Sequence, residues 1–479
     1  MVRTRTELSS IILLVAFAAG GCNTSFAQAS VSPSLPEAPK ARLLAQGYMG
    51  QSPSVPQPQA AASTEAAAAQ PQRLTRTDAE QMAIKNNPRI SVVRLLALAQ
   101  HQVVRETRAA ELPTVLASVT AEDAEQATRI SAGTLTASRL FEHAGAGASA
   151  SQLITDFGRT RNLVLSSKLQ EKAQNAGALA TLEDIVLATD QAFYNALQAQ
   201  ALLSVARQNV KTRQTTDNQI SVMTRNKLKS TLDLSFADVN LSQAKLLLLD
   251  AQNNADSTMA ALDDVLGLDK KVIFDLVGGT DTLQAPPADE DRLLQLALQQ
   301  RPDLHALDYN HQADVKFSHA QRDQLLPSIS ALGTVGTVPI RPGSQYYVAN
   351  WWGAVGVNMN IPIFNGFLYT SQAKEATIRA QAAAEQTRDL RDHIVRDVRT
   401  SWLSANTAYQ RVAVTEELLK QANLALKLAQ TRYQMGLSSI VELSQAQFQQ
   451  TDAAIGNTNA RYQYRLASSA LNFEIGATP

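Results

Sequence analysis

The sequence predicts an α+β membrane protein of two tandem structural repeats, which combine long α-helical hairpins with four β-strands per chain. Three observations lead to this prediction. The chain is internally duplicated, each copy holds a long proline-free stretch with helical periodicity, and each copy holds short segments that alternate with period two. Four strands are too few to close a membrane-spanning sheet, so we also expect the chain to assemble with copies of itself.

The duplication is visible in the prolines and in the residues around them. Pro88 and Pro302 lie 214 residues apart, and Pro113 and Pro327 are separated by the same distance. The flanking segments also match, AIKNNPRISV with ALQQRPDLHA and RAAELPTVLASV with RDQLLPSISALG. At about 200 residues, each copy is too long to be the unit of a solenoid. Each copy is therefore predicted to be a whole structural half.

The proline-free stretches predict very long helices. No proline occurs over 114–285 or 363–478, and apolar residues recur there every three or four positions. This near-heptad spacing is typical of a coiled-coil helix, and each helix could reach roughly 100 Å at about 1.5 Å per residue. A shorter helix is expected to complete each hairpin, and another to precede each strand region. These shorter helices are predicted over 75–112, 228–266, 290–326 and 437–474.

The strands are predicted from period-two alternation. Over 351–361, apolar side chains alternate with small or polar ones, and a partner strand is predicted over 328–338. The corresponding strands of the first copy are predicted over 114–124 and 143–154, where the alternation is weaker. The length of each segment is close to the roughly 9–11 residues that a tilted strand needs to cross a bilayer.

Four aromatic residues lie at one end of the second predicted strand pair: Tyr346, Tyr347, Trp351 and Trp352. Such a cluster is typical of the aromatic girdle of a membrane barrel, whereas the alternative is a soluble hairpin with exposed aromatic side chains. A strand in lipid must have both edges paired, so the sheet must close. Since the smallest membrane barrels have about eight strands, several copies must combine their strands, and three chains would supply twelve.

The composition gives no indication of nucleic acid as a partner, because 43 basic residues balance 43 acidic ones. Cys22 is the only cysteine, which excludes an intrachain disulfide and a cysteine metal cluster. His305, Asp308 and His311 could share a helix side only loosely, so no metal site is predicted. The chain also lacks a Gly-rich phosphate loop and a G-x-S-x-G motif. We therefore predict no enzyme activity and no cofactor.

The N-terminus is predicted to be an export signal over residues 1–29, because Arg3 and Arg5 precede a short apolar run. Alternatively the signal covers 1–21 and Cys22 is lipidated, since A-G-G-C ending at Cys22 resembles a lipoprotein cleavage box. Composition then divides the remaining chain. We predict a flexible leader rich in Ala, Pro and Gln over 30–72. The first repeat is predicted over 73–267, the inter-repeat segment over 268–289 and the second repeat over 290–479.

The duplicated motifs together resemble the TolC-type outer membrane efflux family. The resemblance covers about 73–476, and its motifs occur in the same order in both copies: RAAELPTV and RDQLLPSI, TDFGRT and PIFNGF, MTRNKLKSTLDLS and YQMGLSSIVELSQAQ. It implies a homotrimer in the outer membrane of a Gram-negative-type bacterium, with a twelve-stranded barrel continued by an α-helical barrel through the periplasm. It also implies a passive exit duct for efflux or type I secretion, whose partners are a periplasmic adaptor protein, an inner-membrane transporter and outer-membrane lipid.

The resemblance further implies a gate at the apices of the helical hairpins. Glu442 matches an acidic ring that narrows the pore, and three such carboxylates would select for cations. A second acidic position matches Gln445, which is neutral. Tyr433 and Asp233 match a tyrosine and its acidic partner on the other repeat, and Ser438 stands where a basic residue is expected, which indicates a lighter latch. The alternative is that Glu442 and Asp233 only stabilise helix N-termini.

The same apices are expected to contact the hairpins of an adaptor, because small and apolar residues there permit close helix approach. These residues are Leu228, Ser230, Gly436, Leu437 and Ser439. Lys227 and Lys229 are interpreted as solvated.

Two other classes compete with an export duct. One is a non-pore periplasmic coiled-coil adaptor or structural protein, against which the apolar strand face over 351–361 argues. The other is a periplasmic hydrolase, for which the sequence offers no catalytic set. The sequence does not indicate which substrate is exported.

Overall fold

The computed structural model describes residues 72–122, 129–132, 135–139, 143–268, 272–278, 283–337 and 351–477. The predicted export signal, Cys22, all but the last residue of the predicted leader, and the aromatic residues Tyr346 and Tyr347 lie outside these ranges. None of the helices in the described ranges has the length and apolar character needed to cross a membrane.

Within these ranges the helices form two matched sets. The first set is α1 (Arg76–Asn86), α2 (Pro88–Ala109), α3 (Arg159–Arg225) and α4 (Thr231–Val265). The second set is α5 (Glu290–Gln300), α6 (Pro302–Asp323), α7 (Leu368–Gln434) and α8 (Ile440–Glu474). Corresponding helices have 11, 22, 67 and 35 residues in both sets. This equality confirms that each copy is a whole structural half.

The offset between the copies changes along the chain. Pro88 and Pro302, which begin α2 and α6, are 214 residues apart, whereas Thr231 and Ile440, which begin α4 and α8, are 209 apart. The segments that bear the strands therefore differ in length, and residues of the two hairpins correspond at an offset of 209.

The prediction of one helix over 75–112 and one over 290–326 is wrong, because each region holds two helices. Both breaks come immediately before a proline, at Asn87 and Arg301. A proline disfavours the helical backbone at the residue before it. Asn87 and Arg301 accordingly have extended ψ angles of 122° and 120°. Proline then begins the next helix favourably, since the N–H that it lacks would have no partner in the first turn.

The long helices are present as predicted, and their predicted apolar stripe is buried or half-buried along its length. Examples are Ile185, Ala196 and Ala206 on α3 and Val398 and Ala405 on α7. Helix α3 packs against α2 and α6 close to its start and against α4 and α8 further along, while α7 packs against α6 and α8. The hairpin helices α4 and α8 each begin three residues later than predicted.

The strands are β1 (Gln72–Leu74), β2 (Thr114–Glu122), β3 (Arg129–Ala132), β4 (Leu135–Arg139), β5 (His143–Thr155), β6 (Phe274–Leu276), β7 (Ser328–Thr337) and β8 (Trp351–Asn360). The four predicted strands form one antiparallel sheet in the order β2–β5–β7–β8. The central pairing of β5 with β7 joins the two repeats. The prediction missed the β3–β4 hairpin and the short parallel pair of β1 with β6.

The two outer strands of this sheet have free edges, because β2 and β8 each pair with one neighbour only among the described residues. Apolar side chains on both strands are also open: Val119 is 83% and Val355 is 92% exposed. Every residue of β8 is exposed. One chain therefore provides an unclosed sheet with uncovered apolar side chains.

Separate cores fix the helices of each repeat. In the first repeat, α1 packs on α3 and α4 through Ala79, Phe193 and Leu262. In the second repeat, α5 packs on α7 and α8 through Ala297 and Leu471, among others. A third core lies at the hairpin apices and contains residues of both repeats.

Candidate functional site

The apices of the two helical hairpins are held together by one small apolar core. Ile220 of α3 and Ala237 of α4 come from the first repeat, and Tyr433 of α7 and Leu443 of α8 from the second. All four side chains are buried. The apex connections 226–230 and 435–439 are thereby placed close to each other, and their side chains form the candidate site.

Both long helices end in the same way. Lys227 and Gly436 correspond at the offset of 209, and both have left-handed backbones, with φ of 59° and 75°. The next residue then donates its N–H to a carbonyl of the last helical turn, Leu228 to Met223 and Leu437 to Arg432, each at 2.8 Å. This pattern satisfies carbonyls that would otherwise lack a partner. A glycine suits the position, whereas Lys227 is an uncommon residue there.

Both short helices begin with a serine cap, but their acidic residues behave differently. In the first copy, Ser230 Oγ accepts from Leu232 N at 3.0 Å, and Asp233 Oδ2 accepts from Ser230 N at 3.3 Å. In the second copy, Ser439 Oγ accepts from Glu442 N at 3.4 Å. The carboxylate of Glu442 instead lies beside a cation: its Oε1 is 3.2 Å from Arg432 Nε. Asp233 thus completes a capping box, and Glu442 completes an ion pair.

Tyr433 is buried close to Asp233, but no hydrogen bond joins them in the structure. Among the described residues the Tyr433 hydroxyl has no hydrogen-bond partner. Burial, followed by the negative charge of Asp233, raises the pKa of Tyr433. The tyrosine makes a different contact with the first repeat, because Lys229 Nζ lies 4.3 Å from the centroid of its ring.

The interpretation of Lys229 as merely solvated is therefore wrong. A cation at this distance is attracted by the face of an aromatic ring. Lys229 corresponds to Ser438 at the hairpin offset of 209, so the basic residue missing at Ser438 is present in the other copy. That offset is the signal that could have identified Lys229, but it requires the exact helix lengths. Ser438 Oγ itself is buried and has no hydrogen-bond partner among the described residues.

The five residues expected to contact an adaptor are all exposed at the apices: Leu228, Ser230, Gly436, Leu437 and Ser439. The two leucines are 72% and 66% exposed, which is unusual for large apolar side chains. Gln445 is also exposed. The structure thus places exposed small and apolar residues at both apex connections, next to Tyr433.

Beyond the apex core, α3 and α8 are joined by buried polar residues that the sequence reading missed. Arg213 Nη1 donates to Gln447 Oε1 at 2.6 Å, and Gln447 Nε2 donates to Thr216 Oγ1 at 3.1 Å. Burial lowers the pKa of Arg213. Adjacent to this network, two neighbouring clefts of about 280 and 370 Å³ share Gln208, Thr212 and Gln430 in their walls. The surface between the two hairpins therefore carries both polar and apolar side chains.

Two of the residues considered as metal ligands contact other groups. His305 Nε2 lies 2.9 Å from the Gln299 carbonyl, and Asp308 forms an ion pair with Arg391 at 3.2 Å. No group of three metal-binding side chains is found in the described ranges.

Comparison with known proteins gives a consistent result. The outer membrane efflux protein family matches the chain over residues 79–268 and 293–477. The outer membrane protein TolC of Vibrio cholerae is 24% identical over 64% of this chain and 71% of its own length. TolC of Salmonella enteritidis is 25% identical, but the matched segment spans 26% of this chain and 25% of that protein. The CmeC outer membrane channel of Campylobacter jejuni has the same fold, with a TM-score of 0.74 and 16% identity over 84% of this chain and 85% of CmeC.

Proposed function

The chain belongs to the outer membrane efflux protein family, and from this premise we propose that three copies form an exit duct in the outer membrane. The duct conducts solutes passively from the periplasm to the exterior. The observation that carries this proposal is the four-stranded sheet with two free edges and exposed apolar side chains on both edge strands.

The free edges support assembly through the sheet. Lipid offers no hydrogen-bond partners, so β2 and β8 can remain in a membrane only if another strand pairs with each of them. The strands β2, β5, β7 and β8 have 9, 13, 10 and 10 residues, enough for a tilted crossing. Three copies joined β2 to β8 would close a barrel of twelve strands. A non-pore periplasmic adaptor would leave Val355 and its neighbours in water.

The helices support the same assembly. Leu232, Val239 and Leu246 recur every seven residues on α4 and are 62%, 55% and 62% exposed. They lie on the side of α4 opposite to Leu241 and Ala244, which are buried. An exposed heptad stripe of this kind is typical of an unpaired coiled-coil surface. Helix α7 also has exposed apolar residues, Val414 and Leu428. In the assembly, these residues of a neighbouring copy would cover the stripe of α4.

We place the aperture of the duct at the apices. In this proposal Glu442 lines the aperture, and Tyr433 with Asp233 and Ser438 forms the latch between the repeats. Lys229 supports a latch role for Tyr433, because the contact crosses from one repeat to the other. Its strength is expected to be modest, about 0.5–1 kcal/mol for a cation over an aromatic ring at a partly exposed site.

The partners proposed for this duct are a periplasmic adaptor protein and, through it, an inner-membrane transporter. The exposed Leu228 and Leu437 support this proposal, since they offer apolar contacts between small residues that permit close helix approach. A photocrosslinker at position 439 in intact cells should capture a periplasmic protein, whereas one at the distant exposed position Leu179 should not. Equal labelling at both positions would count against an adaptor contact at the apex.

Planar-bilayer recording tests the duct itself. We expect the purified protein to insert and to produce discrete conductance steps. The Lys229→Gln variant should open for a larger fraction of the time, because it removes the contact with Tyr433. Membranes that stay non-conducting in the presence of folded protein would refute the duct, whereas normal steps with unchanged opening in the variant would refute only the latch.

A further inference from the structure

We propose that Arg432 determines the ion selectivity of the aperture by neutralising Glu442, so that the duct does not select for cations. This inference rests on the proposed function and concerns its specificity. The acidic ring expected from Glu442 alone would attract cations. In this chain, each carboxylate of that ring has its own arginine.

The ion pair is fixed by the ends of two helices. Arg432 lies in the last turn of α7 and Glu442 in the first turn of α8, and Nε and Oε1 are 3.2 Å apart. A cation is stabilised at a helix C-terminus and an anion at a helix N-terminus. Each charge is thus favoured where it stands, and the connection 435–439 brings the two ends together. In the single chain the two side chains are 55% and 45% exposed.

The first copy shows what the acidic residue does when no arginine stands at the position that corresponds to Arg432. At the hairpin offset of 209, Met223 corresponds to Arg432 and Asp233 to Glu442. Asp233 folds back and accepts the N–H of its capping serine, Ser230, at 3.3 Å. The second copy retains the serine cap, but its carboxylate contacts the arginine. The difference between the two apices indicates that Arg432 draws Glu442 away from the capping position.

The surrounding charges act in the same direction. The segments 225–233 and 432–442 contain four basic and two acidic side chains. Among the basic ones, Lys229 is held over the Tyr433 ring at 4.3 Å. With Glu442 neutralised, the apices of each chain therefore present an excess of positive charge. We expect the wild-type aperture to be non-selective or weakly anion-selective.

The test is the reversal potential of single channels across a KCl gradient at low ionic strength, where charge effects are least screened. We expect Arg432→Gln to raise the ratio of cation to anion permeability several-fold, because it exposes the Glu442 carboxylates. Glu442→Gln should shift the ratio towards anions, and the double variant should lie close to wild type. Arg432→Lys, which keeps the charge, should also stay close to wild type.

A matched control is available on the same helix. Lys420 forms an ion pair with Glu417 at 3.3 Å on α7, also exposed, but about four turns from the apex connection. Lys420→Gln should leave the reversal potential unchanged. A cation-selective wild type whose selectivity is unaffected by Arg432→Gln would overturn the inference and leave the duct intact. Absence of any conductance would instead refute the proposed function.

Discussion

At the scale of single residues, the most unusual group is a pair of buried carboxyls that joins α1 to α3. Glu80 and Asp190 are 5% and 4% exposed. Asp190 Oδ2 accepts from Ser469 Oγ at 2.8 Å and from Arg76 Nη1 at 3.2 Å. Burial, followed by the hydrogen bond shared with Asp190, raises the pKa of Glu80 to about 7. Between its unfolded pKa of about 4.3 and its folded pKa of about 7, Glu80 therefore holds a proton that the unfolded chain releases.

The raised pKa makes stability depend on pH with a definite sign. Unfolded glutamate titrates with a pKa of about 4.3, so the folded state binds the extra proton between that pH and about 7. The contribution of Glu80 is complete below this window and is lost as the pH rises through it. At about 1.4 kcal/mol per pKa unit, we expect the loss to be at most about 4 kcal/mol.

Thermal unfolding in detergent at pH values from 5 to about 8 would measure this effect. The Glu80→Gln variant keeps the shape of the side chain without the titration, so its stability should change less over that range than that of wild type. Parallel curves for the two proteins would show that Glu80 does not hold the proton.

Other residue contacts show where sequence reasoning reaches its limit. The acidic residues Asp233 and Glu442 could be placed at helix N-termini, because each follows a serine by three positions. Lys229 and Arg432 could not be assigned their contacts. Each contact depends on which turns of two different helices meet, and that is set by exact helix lengths rather than by local pattern.

At the scale of helices, the seam between α3 and α8 depends on buried polar groups rather than on apolar packing alone. Arg213 and Gln447 are 7% and 3% exposed and bind each other at 2.6 Å. Removing one partner of a buried hydrogen bond leaves the other without compensation, at a cost of about 1–3 kcal/mol. Replacing both by apolar residues of similar size is often neutral or stabilising.

A comparison of a single and a double variant tests the role of the buried polar pair in this seam. We expect Gln447→Leu to destabilise the protein by about 1–3 kcal/mol and Arg213→Leu/Gln447→Leu to recover most of the loss. Gln450→Leu is the control, because its bond to Asn423 at 3.1 Å is exposed, and it should change stability by less than about 0.5 kcal/mol. A double variant less stable than Gln447→Leu alone would contradict a pairing requirement.

The helices and main strands could be predicted from sequence because their signals are long and regular. The breaks at Asn87 and Arg301 were missed because proline at the start of a helix leaves the apolar pattern on both sides intact. The β3–β4 hairpin was missed because its strands have only 4 and 5 residues, too few to show a period.

At the scale of the whole molecule, the duplication predicts two halves and the strand count predicts assembly. The prediction of assembly follows from a general constraint, since each sheet edge in lipid requires a partner. The number of copies does not follow from a single chain. It depends on the tilt of the strands and on the angle between neighbouring chains, which only the assembled molecule fixes.

Native mass spectrometry of the detergent-solubilised protein is the most direct test of the central claim, that one chain is an incomplete wall. The Leu246→Glu variant places a charge on the exposed stripe of α4, whereas Leu246→Met keeps the same position apolar. We expect wild type and Leu246→Met to have the mass of three chains and Leu246→Glu to release single chains. A wild-type protein that is folded, stable and monomeric at every concentration would contradict the account.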